Sequence, residues 1–169
     1  RFTLFPPEQL ANLYVGPLEF TPAGPPVSMV SLEAPDFARY PRFREALAVA
    51  QAAELEPGDA LYIPYMWWHH IQSLSPFNVL VNYWWDSEPT QNADAMDVFL
   101  HAVLTLKRLP AGKRAIWQTM FDHYVFEAYG DPVAHLAEAD KGALRPMPDD
   151  EIAARKQHLL ARLESKWKD

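Results

Sequence analysis

Cysteine is absent from this chain, which excludes disulfides and every thiolate-ligated metal site. No apolar run approaches the roughly 18 residues that a membrane-spanning helix requires, so no membrane partner is expected. Positive charge is in the minority, with 15 Lys and Arg against 22 Asp and Glu and a formal charge of −7. That balance opposes nonspecific attraction to phosphate backbones and anionic bilayers, so no nucleic-acid partner is expected either. Low-complexity tracts and internal repeats are also missing, and 49% of the 169 residues are hydrophobic, as in an ordinary globular chain. No signal peptide is visible, which makes a cytoplasmic location the expectation. The first residue is Arg1 rather than Met, and a strand-like run begins at once. Further sequence upstream is therefore expected.

Proline divides what is present. Twelve of the sixteen prolines lie before residue 90 and four after it. The first part carries short strand-like runs between turn signals: "RFTLF", "VSMVSL", "ALYIP" and "NVLVNYWW". Helical inserts are predicted at "PEQLANLY" and at the alanine-rich "RFREALAVAQAAE". Beyond Pro89 the spacing becomes helical. Met96, Phe99, Leu100, Val103 and Leu104 recur along one face, and a second helix runs through "KRAIWQTMFDHYVFEAY" to Gly130. A third starts at Pro148 with Asp149, Asp150 and Glu151 in its first turn, where negative charge complements the helix dipole. Its apolar face is Ile152, Leu159, Leu160, Leu163 and Trp167. The organisation expected is a β-rich part over residues 1–90 and a helical region over 91–169.

Four of the six tryptophans fall between Trp67 and Trp85, around the adjacent pair His69 and His70. Side chains on a strand alternate between faces. If "MWWHHIQ" is extended, Trp67, His69 and Ile71 share one face and Trp68, His70 and Gln72 the other. By the same rule Leu80, Asn82 and Trp84 share a face of the next run. Taken alone, these residues are also what a tryptophan-rich core with a hydrogen-bonded histidine looks like. One imidazole can ligate iron, zinc or copper, but one imidazole is not a site.

The string "PGDALYIPYMWWHHIQSLSPFNVLVNYWW", with "RFTLFPPEQLANLY" upstream, resembles the second half of a JmjC or cupin-like iron(II)/2-oxoglutarate oxygenase, closest to the asparaginyl-hydroxylase type of the factor-inhibiting-HIF group. The resemblance covers about residues 1–90. It implies a mainly β fold with α, the C-terminal half of a double-stranded β-helix (cupin or jelly roll) followed by a helical region through which two copies form a homodimer. It implies Fe(II) and 2-oxoglutarate as cofactors, and a hydroxylase acting on a protein side chain or a small molecule. On the matching positions, His69 corresponds to the distal iron ligand, while Asn82 and Trp84 correspond to residues lining the cosubstrate cavity. His70 becomes a structural residue facing away from that cavity.

The chain departs from that family in one decisive respect. The resemblance calls for a His-x-Asp or His-x-Glu pair, and no histidine here has Asp or Glu two positions on. Two ligands must then come from sequence upstream, and the 169 residues alone are expected to be inactive. The different-class alternative is a degenerate, non-catalytic cupin-like binding or assembly module, and a cupin using another metal is a third. Arg1 stands beside the expected cosubstrate-binding position. The stretch "GPLEFTPAGPPVSMVSLEAPDF" lies where the family's substrate-facing loop falls and lacks any basic residue, so no peptide specificity transfers. Tyr14, Tyr40 and Tyr65 could contact substrate, but each is expected to be a half-buried packing residue. His101, His123, His135 and His158 fall in helical sequence and are not expected to ligate.

Overall fold

The computed structural model describes residues 1–18, 25–85 and 92–166. The chain divides into two compact units, Arg1–Tyr83 and Trp84–Asp169.

The first unit is built on a three-stranded antiparallel sheet of β1 (Phe2–Phe5), β2 (Gln51–Ala53) and β3 (Trp68–Ile71), in the order β2-β1-β3. β1 follows the alternation rule with large apolar side chains on both faces, because Phe2, Leu4 and Phe5 are all buried. Pro6 then ends the strand, and a 3-10 helix over Pro7–Asn12 turns the chain back. Helix α1 (Phe43–Ala48) packs Phe43 and Ala46 into a cluster with Phe5, Leu13 and Val30, and Trp68 of β3 lies against that cluster. A short bridge between Val15 and Ser28 brings Val30 into place. There the Ser28 hydroxyl donates to the Leu13 carbonyl at 2.6 Å and accepts the Val30 N–H at 3.1 Å.

Several expectations fail here, each for a tertiary reason. "RFREALAVAQAAE" is helical only to Ala48, because Gln51–Ala53 leave the helix and pair with β1. Helix propensity differs by well under about 1 kcal/mol per residue among ordinary residues, so pairing to an open strand edge overrides it. "VSMVSL" supplies one bridge rather than a strand, and "ALYIP" forms none. "NVLVNYWW" is not a strand either: residues 78–85 have no regular secondary structure. β-propensity measures packing on a pleated, paired surface, and this run is not a strand of the described sheet. Strand is accordingly scarcer than a mainly β description implies; the fold is a small antiparallel sheet with helices.

In the second unit α2 (Asn92–Thr105), α3 (Ala111–Tyr124) and α4 (Asp149–Lys166) occupy the stretches with helical spacing. α3 stops six residues before Gly130, where the Val125 and Phe126 N–H groups both return to the Phe121 carbonyl at 2.9 Å. His135 lies in a turn, not a helix. The first turn of α4 is tied by Glu151, which accepts from Arg145 at 2.5 Å and from Arg155 at 2.9 Å. Those two hydrogen bonds, from Arg145 first, lower the Glu151 pKa below the usual carboxylate range. Leu100 and Val103 are half-buried, whereas Met96, Phe99 and Leu104 of the same stripe stay exposed. Trp167 lies outside the described residues, as do residues 19–24 of the proline-rich loop.

Candidate functional site

The register of β3 on β1 decides the orientation of the two histidines. Leu4 stands opposite His69 and Phe2 opposite Ile71, while Thr3 stands opposite His70 and Phe5 opposite Trp68. Directly paired residues share a face. His69 therefore lies with Phe2, Leu4 and Ile71, and His70 lies with Thr3, Phe5 and Trp68 on the face that packs onto the core cluster. The alternation read from "MWWHHIQ" holds over Trp68–Ile71.

His69 is exposed on the edge strand. Its Nδ1 lies 3.5 Å from the Trp67 carbonyl, at the limit of a hydrogen bond. His70 is half-buried, and its Nε2 lies 3.7 Å from Glu33. Around it is an open cavity of about 610 Å³ whose polar lining is Arg1, Thr3, Glu33, Glu54, His70 and Gln72. This cavity belongs to the face opposite His69.

Arg1 goes with the His70 face. It lines the same cavity, and its guanidinium is paired with Glu54. It is therefore placed on the His70 side of the sheet rather than beside His69. Asn82 is exposed in the irregular stretch that follows β3, so the shared strand face assigned to Asn82 and Trp84 does not exist. Trp84 begins the second unit and is 82% exposed. Tyr14 and Tyr40 are packing residues, with ring centroids 5.0 Å apart and the Tyr14 hydroxyl accepting the Arg42 N–H at 3.1 Å. Tyr65 is 70% exposed.

Among the described residues, no three His, Asp or Glu side chains come together in a way that could hold a metal ion. A lone exposed imidazole does not fit iron and 2-oxoglutarate by itself, because selectivity comes from several ligands held in fixed geometry. Two features of the region were not legible in sequence. One is Glu33 beside His70, brought there by a loop. The other is the left-handed backbone of Met66, with φ of 60°, three residues before His69. No residue pattern signals either.

Comparison with known proteins bears on the same stretch. Residues 1–91, more than half of the chain, match the cupin-like domain family. HSPB1-associated protein 1 of Homo sapiens is 32% identical over 118 residues, 68% of this chain and 24% of that protein. Lysine-specific demethylase JMJ31 of Arabidopsis thaliana is 35% identical over 92 residues, 54% of this chain and 16% of that protein. tRNA wybutosine-synthesizing protein 5 of Mus musculus is 32% identical over 99 residues, 59% of this chain and 28% of that protein. The matched stretches thus take up between about a sixth and a little over a quarter of these relatives. No solved structure matches. The paired strands, the tryptophan–histidine run and Asn82 all fall inside the matched residues, and the chain belongs to the cupin-like domain family.

Proposed function

We propose that this chain is the distal-histidine portion of an iron(II)- and 2-oxoglutarate-dependent oxygenase, with His69 as one metal ligand. The observation that carries this reading is the register of β3, which sets His69 on the face of Phe2 and Leu4 and His70 on the opposite face with Thr3 and Phe5. The relatives named as a demethylase and as a wybutosine-synthesizing protein are consistent with oxygenase chemistry in the family. The reaction proposed is hydroxylation of a protein side chain or a small molecule, with Asn82 and Trp84 joining the cosubstrate pocket once their segment is paired. The remaining ligands and the residue gripping the cosubstrate are assigned to polypeptide beyond these 169 residues, because no His-x-Asp or His-x-Glu occurs within them.

The test is a ligand count made experimentally. The 169-residue chain is titrated with iron(II) and 2-oxoglutarate beside a form extended upstream by its own gene sequence, by about 100 residues on the usual domain size. The short chain is expected to leave 2-oxoglutarate untouched and the extended one to decarboxylate it. Turnover by the short chain would refute the count. Silence from the extended chain would favour a second reading, a non-catalytic cupin-like binding or assembly module, which the missing carboxylate motif also suits.

The helical residues are proposed to pair two copies of the protein. Phe99, Ile116, Trp117 and Phe126 are 45–68% exposed, and an apolar surface of this kind usually marks an interface. A two-fold dimer is the default closed arrangement. Light scattering is expected to give a dimer mass for the extended protein and a monomer mass after truncation at residue 91; a monomeric extended protein would remove the proposal.

A further inference from the structure

Helix α4 runs for 18 residues, Asp149–Lys166, and none of them is buried. Helices in folded proteins draw most of their stability from packing an amphipathic face, so a face this long calls for a cover. Leu159 and Leu160 are 54% and 53% exposed, and Ile152 and Leu163 are half-buried. Charge is unevenly placed along the same helix. Asp149, Asp150 and Glu151 fill its first turn, while Arg162 and Lys166 stand near its end.

One stripe of α4 is its own complement. Asp149, Ile152, Lys156, Leu159, Leu163 and Lys166 recur at alternating steps of three and four residues, the spacing of a two-helix seam. The steps read the same from either end. Laid against a second α4 running the opposite way, Ile152 meets Leu163 of the second copy, Lys156 meets Leu159, and Asp149 meets Lys166. Each contact then occurs twice, as a two-fold pairing requires. A pair running the same way would instead set Asp149 against Asp149 and Lys166 against Lys166, and like charges repel. Ala153 and Leu160 widen the apolar seam along one edge. Along the other edge run Arg155 and Arg162, and Glu151 of the same helix already engages Arg155 at 2.9 Å, which blunts repulsion between the arginines of two copies. Lys156 falls within the seam, where its stem can cover apolar surface while its ammonium reaches the rim.

We infer that α4 is a self-association element, along which two copies of this chain pair in antiparallel register with Ile152 against Leu163 and Asp149 against Lys166. The inference rests on the pairing of two copies proposed above, and adds to it the helix, the direction and the register. The occupant is a second copy because the stripe itself carries the complement of each of its members: apolar for apolar, acid for base.

The experiment is disulfide cross-linking of the 169-residue chain, which has no cysteine of its own, so introduced thiols report only on themselves. Ile152→Cys and Leu163→Cys are made separately, mixed in equal amounts and mildly oxidised. Non-reducing gels and peptide mass spectrometry read the products. The mixture is expected to give a link between positions 152 and 163 at about ten times the yield of either variant alone, because a disulfide needs Cα atoms within about 7 Å. Ala154→Cys mixed with Ala161→Cys is the control, with the same centre of symmetry but on the opposite face of the helix, and should give little product. Linkage of Ile152→Cys to itself would show a parallel pair and overturn the inference. Equal linkage in the control would overturn it too, as would the absence of any link. Light scattering of the extended protein, as above, separates the two readings. A dimer without the 152–163 link sinks only the α4 contact, and the link beside a monomeric extended protein sinks only the stable dimer.

Discussion

Replacing His69 with alanine in the upstream-extended protein is expected to lower iron(II) affinity by at least about 100-fold, since even the outer partners of ligands are worth about 10- to 100-fold. Turnover of 2-oxoglutarate should fall with it. Replacing His70 with alanine should leave iron content near the parent value. The difference follows from strand parity: β3 sets His69 beside Leu4 on one face and His70 beside Thr3 on the other. His70 also has a neighbour of its own in Glu33, 3.7 Å away. A contact that exposed is worth at most about 1 kcal/mol, so its loss should be a small stability effect. Iron analysis of the two purified variants, with melting temperatures to confirm folding, reads the result. Loss of iron in His70→Ala with retention in His69→Ala would reverse the assignment of the faces.

Phe43→Ala is expected to destabilise the first unit by about 3–5 kcal/mol, the usual cost of removing a fully buried phenylalanine. Phe43 is 2% exposed, and its ring lies 6.0 Å from that of Phe5, centroid to centroid. The cavity left behind would adjoin Leu13, Val30 and Ala46, all in one cluster, so there is no solvent to refill it. Whole domains are stable by only about 5–15 kcal/mol, so a unit this small would lose much of its folded population. The consequence reaches the candidate site, because Trp68 packs on the same cluster and precedes His69. Chemical denaturation followed by tryptophan fluorescence measures the loss. Tyr65→Ala, at a 70% exposed position, is the control and should change the 169-residue chain by no more than about 0.5 kcal/mol. Equal effects from the two variants would show that the Phe43 cluster is not the core.

Local pattern determined several features of this protein by itself. β1 follows from "RFTLF" because two apolar faces and a following proline leave few alternatives. The helices α2, α3 and α4 follow from a repeat of 3.6 residues, and the acidic start of α4 from the helix dipole. The opposite orientation of His69 and His70 follows from the two-residue period of a strand, which needs no partner to be known. The absence of a His-x-Asp or His-x-Glu pair is likewise a fact of sequence alone.

Tertiary structure alone decided the rest, because pairing and packing depend on what is nearby in space. Gln51–Ala53 left a helical pattern once β1 offered them an edge. Asn78–Trp85 carried Val79, Val81, Tyr83, Trp84 and Trp85, types a strand prefers, and formed no strand, since a strand needs hydrogen-bonding neighbours that its own sequence cannot supply. Arg1 lines the cavity beside His70, where Glu54 pairs with it, a pairing across the fold that its place in the sequence does not reveal. Met66 is the sharpest case. A methionine carries no sign that its backbone is left-handed, because that conformation belongs to the closing of the Pro64–Trp67 turn.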